Sequence, residues 1–238
     1  MGYPVGDIRD QVAHLGRSAV AAGLVVGSGG NLSARASGAD DIWVTGAGTW
    51  LDRLHPSAFR RVRISDGAVL DAAESSADSG VDGTETGDGA DRAAPSPSSE
   101  LGLHLATYRA RPDVNVVVHL HPQSVLLLDA LDEPIRLITT DHLAYVREVV
   151  RAPFAVPGTE RVGTLAAAAV SGGANCLVLA NHGVSILAGS VELAHKRAFC
   201  LEEAARLTYS ALVLGRVADL RPCPPDFDPA LGKYSLEP

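Results

Sequence analysis

Lysine is nearly missing from this chain of 238 residues, which carries only Lys196 and Lys233. Imine chemistry needs a desolvated amine nucleophile, and neither residue suits: one falls in a helical pattern beside Arg197, the other in the terminal stretch. Cysteine is scarce as well. Cys176, Cys200 and Cys223 are odd in number and far apart, which argues against a disulfide framework. Cys176 and Cys200 read instead as small core residues of a buried strand and a helix. No apolar run approaches the ~18 residues of a membrane span, and no charged segment precedes an apolar one at the start of the chain. The expectation is a cytoplasmic protein with no membrane partner. No basic patch or aromatic-interleaved arginine run is present, so nucleic acid is not an expected partner either. Also absent are internal repeats and a G-x-G-x-x-G turn set for a dinucleotide.

Aromatic residues make up 5% of the chain, yet 46% is hydrophobic, enough for one large domain. Charge is spread unevenly. Of the net charge of −8, residues 71–92 carry −6, from seven acids against Arg92 alone. Rich in Ser, Gly and Thr and nearly free of large apolar side chains, that stretch cannot offset its ordering entropy. A flexible insert is therefore expected at about 71–95 within a domain spanning 1–220, ahead of a Pro-rich tail at 221–238.

Around the insert the pattern is mixed α/β. Asp7 is placed to cap a helix reaching about residue 22, with Ile8, Val12, Leu15 and Ala19 on one face. Strands are expected at 31–35, 42–45, 114–120, 135–139 and 149–155, and as a pair around His182. Helices are expected at 98–110, after Pro122, at 159–171 and at about 190–215, the last with a stripe from Leu193 and Arg197 to Thr208 and Leu212.

The feature with most chemistry is His119-Leu120-His121, which closes the apolar run Val116-Val117-Val118. Residues i and i+2 of an extended strand share a face, so both imidazoles can converge on one ion from a rigid support. Further ligands are at hand: Glu100 lies 19 residues before His119, and His182 lies 61 residues after His121 at the end of another buried-strand pattern. One histidine at a strand end is as readily a hydrogen-bonded structural residue. Three of them favour a metal site.

Two segments suit an anion. In residues 27–33 glycines let backbone amides approach closely, and Asn31 and Ser33 add neutral donors, although a tight turn would use the same residues. Ser98 and Ser99 precede a helix, where free amides and the dipole favour negative charge; Ser98 also suits simple capping.

Taken together, Asn31-Leu32-Ser33, Thr45-Gly46, Ser98-Ser99-Glu100, His119-Leu120-His121 and Asn181-His182-Gly183 resemble the class II aldolase/adducin family, of the fuculose-1-phosphate aldolase type, from about residue 7 to 215. The resemblance implies a single mixed or antiparallel sheet flanked by helices in a three-layer α/β/α arrangement. It also implies that Glu100, His119, His121 and His182 hold zinc, or another divalent ion such as Mn2+, Co2+ or Fe2+, with Glu100 doubling as acid/base. Gly30, Asn31, Thr45, Gly46, Ser98 and Ser99 match the positions that hold a substrate phosphate, and a homotetramer is implied.

The implied activity is that of a metal-dependent lyase cleaving a C–C bond of a small phosphorylated hydroxycarbonyl compound, through an enediolate stabilised by the ion in place of a lysine. The proton-donating tyrosine of the aldolase type, supplied there by a neighbouring subunit, has no counterpart at the matching position near Thr140. Asp141, His142 and Tyr145 are the candidates to replace it. A decarboxylase of hydroxy, oxo or aromatic acids is the alternative. A phosphopentulose epimerase or a dehydratase is less favoured, since Glu100 stands where the epimerase type has Asp. A non-catalytic adducin-like module is disfavoured by the intact ligand set.

Overall fold

The computed structural model describes residues 3–70, 95–224 and 227; the acidic segment expected to be flexible and most of the Pro-rich tail lie outside the described residues. In chain order the strands are β1 (Asn31–Ala34), β2 (Asp41–Thr45), β3 (Phe59–Arg63), β4 (Val116–Leu120), β5 (Val150–Ala152), β6 (Cys176–Leu179) and β7 (Gly183–Ala188). The helices are α1 (Ile8–Ala21), α2 (Leu101–Ala110), α3 (Gln123–Ala130), α4 (Glu160–Val170) and α5 (Val191–Val213).

One seven-stranded sheet runs in the order β3-β2-β1-β4-β7-β6-β5, antiparallel at every pairing except β5 with β6. Its two faces carry separate cores. Val116, Val118 and Leu120 of β4 pack with Leu15 of α1, Leu128 of α3 and Leu201 of α5. Val117, of opposite parity, packs with Leu103 and Tyr108 of α2 and Val162 and Ala166 of α4. The three-layer arrangement follows from this alternation. Burying each such Val or Leu contributes roughly 1.5–3 kcal/mol, whereas a polar group on the same face is costly unless it has partners. His119 shares the parity of Val117 and so faces the α2 layer, fully buried.

Local signals were good guides at several ends. The Asp7 side chain accepts the Arg9 amide at 2.8 Å, and Val12, Leu15 and Ala19 are buried as their spacing predicts. The long last helix buries Leu193, Arg197, Leu201 and Thr208. Three expectations need correction. No strand forms at 135–139, because Arg136 and Ile138 donate their amides to the Thr208 hydroxyl (2.9 Å) and the His142 Nδ1 (3.2 Å) instead of to a neighbouring strand. The strand expected at 149–155 stops at Ala152, where Pro153 follows. The helix expected from residue 98 begins at Leu101; residues 98–100 form a turn in which the Ser98 hydroxyl accepts the Glu100 amide at 3.2 Å. Strand β3, FRRVR, was not expected from the sequence, since three arginines mask its buried Phe59 and Val62.

Candidate metal centre

Three separate elements deliver the imidazoles. His119 lies in β4 and His121 just beyond it, while His182 sits in the turn joining β6 to β7 rather than in a strand. That turn needs Asn181 at φ +54°, a left-handed conformation that asparagine tolerates, and its amide is held by the Asp129 carboxylate at 2.8 Å. Beyond His182, the close packing favours glycine. A Cβ on Gly183 would lie 2.6 Å from His121 Cδ2, 2.7 Å from the Leu120 carbonyl oxygen and 2.9 Å from His119 Cε1.

The rings meet closely: centroids are 4.9 Å apart for His119 and His121, 4.8 Å for His119 and His182, and 5.6 Å for His121 and His182. His119 Nε2 stands 3.0 Å from His121 Nε2 and 3.1 Å from Glu100 Oε2, and His182 Nε2 stands 3.2 Å from Glu100 Oε1. His119 donates its Nδ1–H to the Val184 carbonyl at 2.9 Å, which leaves the Nε2 lone pair facing the other groups. Burial, with His119 and His182 nearby, holds His121 down to about 4 against the pull of Glu100, so that ring is neutral at pH 7. Burial by itself raises the Glu100 pKa, the largest single effect, but the neighbouring His119 and His182 rings and the hydrogen bond from Asn31 outweigh it and hold the carboxyl well below its usual range.

These donors fit a divalent cation. Ligand atoms ~2.0–2.1 Å from a tetrahedral zinc-type ion stand about 3.3 Å from one another. Separations of 3.0, 3.1 and 3.2 Å approach that edge length, and the ligand atoms of the three histidines all lie within 4.8 Å of one another. Two imidazole nitrogens facing at 3.0 Å gain at most one hydrogen bond between them, and Glu100 Oε1 is buried with no hydrogen bond, so a shared cation would satisfy both.

Glu100, His121 and His182 line a cavity of about 400 Å3, whose walls also include Gly30, Asn31, Gly46, Ser98, Ser99 and Gly158, while His119 lies buried beneath them. Among the described residues no lysine or arginine lines it. Its anion-directed groups are neutral: the amides of Ser28, Gly48 and Ser99 have no protein partner among the described residues, whereas Gly46 donates its own to Ala58. Thr45 stands behind the wall, its hydroxyl accepting the Leu32 amide at 3.1 Å and its carbonyl the Ser98 amide at 3.0 Å. Asp141, His142 and Tyr145 are not brought to this cavity within one chain. They belong to a π-type turn at His142–Val146 and its preceding residue, packed on α5, where Arg197 donates to the Tyr145 carbonyl at 2.9 Å. A second cavity of about 270 Å3, beside Val125, Ile135 and Arg151, has no imidazole in its wall.

Sequence reasoning missed His104, which lies fully buried behind Asn31. Its Nε2 is 2.5 Å from Asn31 Oδ1 and its Nδ1 2.6 Å from the Ser33 hydroxyl, and Asn31 Nδ2 in turn donates to Glu100 Oε2 at 2.9 Å. The available signal was the spacing of Glu100, His104 and Tyr108, four residues apart along one helix face.

Comparison with known proteins agrees with this geometry. The family described as Class II Aldolase and Adducin N-terminal domain matches residues 10–209. The chain is 28% identical over 190 residues to an L-fuculose phosphate aldolase of Methanocaldococcus jannaschii, covering 80% of this chain and 89% of that one. It is 30% identical over 212 residues to a 3-oxo-tetronate 4-phosphate decarboxylase of Haemophilus influenzae, covering 85% and 87% respectively. Among solved structures, an L-fuculose 1-phosphate aldolase superposes with a TM-score of 0.73 at 24% identity, over 94% of this chain and 93% of that one, a likeness of fold.

Proposed function

The chain belongs to the class II aldolase and adducin family, and on that footing we propose that it is a zinc-type lyase cleaving a C–C bond of a small phosphorylated hydroxycarbonyl compound. The observation that carries this reading is the convergence of three imidazoles and the Glu100 carboxylate, with Glu100, His121 and His182 lining a cavity walled by neutral anion donors.

His119, His121 and His182 would hold the ion, with Glu100 beside them. When bound there, a divalent cation supplies Lewis-acid withdrawal of electron density from the substrate's oxygens. Glu100 takes up and returns the proton at its carboxylate, whose Oε1 has no hydrogen bond to give up. Asn31, Ser98 and Ser99 and the unpartnered amides of Ser28 and Gly48 hold the phosphate. The second proton donor comes from a partner subunit of a homotetramer. Of the three candidates His142 is fully buried in its own chain, so Asp141 and Tyr145, which reach the surface, keep the role. The protein works in the cytoplasm; among the described residues no helix is long and apolar enough to cross a membrane.

Purified protein should hold close to one equivalent of zinc or a similar ion, and His119→Ala should lose most of it; a variant that retains its metal rejects the assignment. Metal-loaded enzyme should release glycolaldehyde or dihydroxyacetone phosphate from a ketose phosphate panel. A second reading, decarboxylation of a phosphorylated oxo acid, is favoured by the 30% identity to such an enzyme and by the lack, among the described residues, of a phenol in the cavity wall. Release of CO2 from a panel of phosphorylated hydroxy and oxo acids, without aldol cleavage of the ketose phosphates, would select it, and inertness toward both panels would reject the lyase.

A further inference from the structure

A polar chain crosses the interior between α2 and β1, and its direction is fixed from one end. The Asn31 amide nitrogen donates to Glu100 Oε2 at 2.9 Å, which places the carboxamide nitrogen on the Glu100 side. Asn31 Oδ1 therefore faces His104 Nε2 at 2.5 Å, and that nitrogen must carry a proton. Burial above all, with His119 nearby, holds His104 down to about 3, so the ring has one proton only and its Nδ1 is an acceptor. Ser33 donates to that Nδ1 at 2.6 Å, and the Tyr108 hydroxyl donates to the Ser33 oxygen at 3.0 Å. Every member has a partner, and reversing any one link breaks its neighbours.

We propose that His104 is a positioning residue that locks the Asn31 carboxamide, so that Asn31 presents only N–H groups to Glu100 and to the cavity. One N–H of Nδ2 goes to Glu100, and among the described residues no protein acceptor takes the other. With Asn31 in the cavity wall, that second N–H is a fixed donor for an anionic oxygen, and the flipped amide, with Oδ1 turned outward, would repel it. The lock makes the wall selective for oxyanions with no cationic side chain among the described residues. This deepens the phosphate-binding role given to Asn31 above and rests on it.

Isosteric replacements separate positioning from mere filling. Glutamine carries its amide nitrogen where His104 has Nε2, whereas asparagine is too short and mimics only Nδ1. On metal-free protein, His104→Asn should weaken binding of inorganic phosphate about fivefold, equivalent to ~1 kcal/mol, while His104→Gln stays within about twofold of the parent. Cobalt affinity should be unchanged in both, because neither touches an imidazole of the cluster. A proton–nitrogen correlation spectrum of protein with isotope-labelled histidine should show His104 as the neutral Nε2–H tautomer at pH 7. An Nδ1–H or charged ring overturns the lock, as does equal phosphate affinity in both variants. Should the parent bind no phosphate, the anion subsite fails, and the tautomer alone then decides the lock. The same holds if His104→Asn does not fold.

Discussion

Replacing Gly183 by alanine tests the centre without touching a ligand. Gly183 has no left-handed φ, so its backbone accepts alanine and the whole penalty comes from three contacts. Two are side-chain atoms of the cluster, His121 Cδ2 at 2.6 Å and His119 Cε1 at 2.9 Å, and these rings can swing aside. The third, the Leu120 carbonyl oxygen at 2.7 Å, belongs to the β4–β7 ladder, where Leu120 pairs with Val184, and cannot move without parting the strands. Overpacking of this kind costs typically ~1–3 kcal/mol. Ring displacement lowers metal affinity, and strand displacement lowers the stability of the metal-free protein. The two losses together should total ~1–3 kcal/mol; borne entirely by binding, that is roughly 5- to 150-fold in dissociation constant. Competition with a chromophoric chelator for cobalt measures the first, and urea unfolding of metal-free protein the second. If Gly183→Ala matches the parent in both, the imidazoles are not packed against this turn and the described geometry is wrong.

Three further outcomes are expected. Glu100→Gln keeps an oxygen for Asn31 to bond but cannot carry a proton, so it should retain much of the metal and lose turnover by at least ~100-fold; near-parent rates would remove Glu100 from the chemistry. Asp129, with a side chain only 2% exposed, holds the Asn181 amide at 2.8 Å and Arg151 Nε at 2.6 Å. Asp129→Ala strands that amide and should cost ~1–3 kcal/mol in urea unfolding and weaken cobalt binding, whereas parent-like values in both would show that the turn holds itself. Metal-free protein should lose stability on acidification. His104 and His121 titrate near 3 and 4 when folded but near 6.5 when unfolded, so between about pH 6.5 and 4 the unfolded chain binds more protons. Stability then rises with pH across that window and falls as pH drops through it; urea midpoints that stay flat from pH 7 to 4.5 would contradict the burial of these rings.

The sequence made the three histidines of the cluster legible because their signals are local: two histidines one residue apart at the end of a valine run, and an Asn-His-Gly turn after another apolar run. The helices were equally plain, since caps and stripes are properties of neighbouring residues. What could not be read depends on register. Thr45 matched a phosphate position by motif, yet its hydroxyl faces the Leu32 amide, a fact set by how β1 lies beside β2. The region 135–139 has strand-like side chains, but its amides are taken by Thr208 and His142, residues far along or folded back on the chain.

His104 shows why such positions escape a linear reading. Four residues of helix advance about 6 Å and two residues of strand about 6.6 Å, so positions 100, 104 and 108 of the α2 segment can keep step with alternate residues of β1. Asn31 and Ser33 are those residues, and Asn31 pairs with His119 in the sheet, which brings this polar seam beside the metal cluster. In the sequence the helix half and the strand half lie about 70 residues apart, each looking ordinary. A buried histidine in a helix reads as core filling, and Asn31 and Ser33 read as anion donors or as part of a tight turn. Only the pairing of the two periods turns them into one hydrogen-bonded unit, and that unit governs how Asn31 meets whatever enters the cavity.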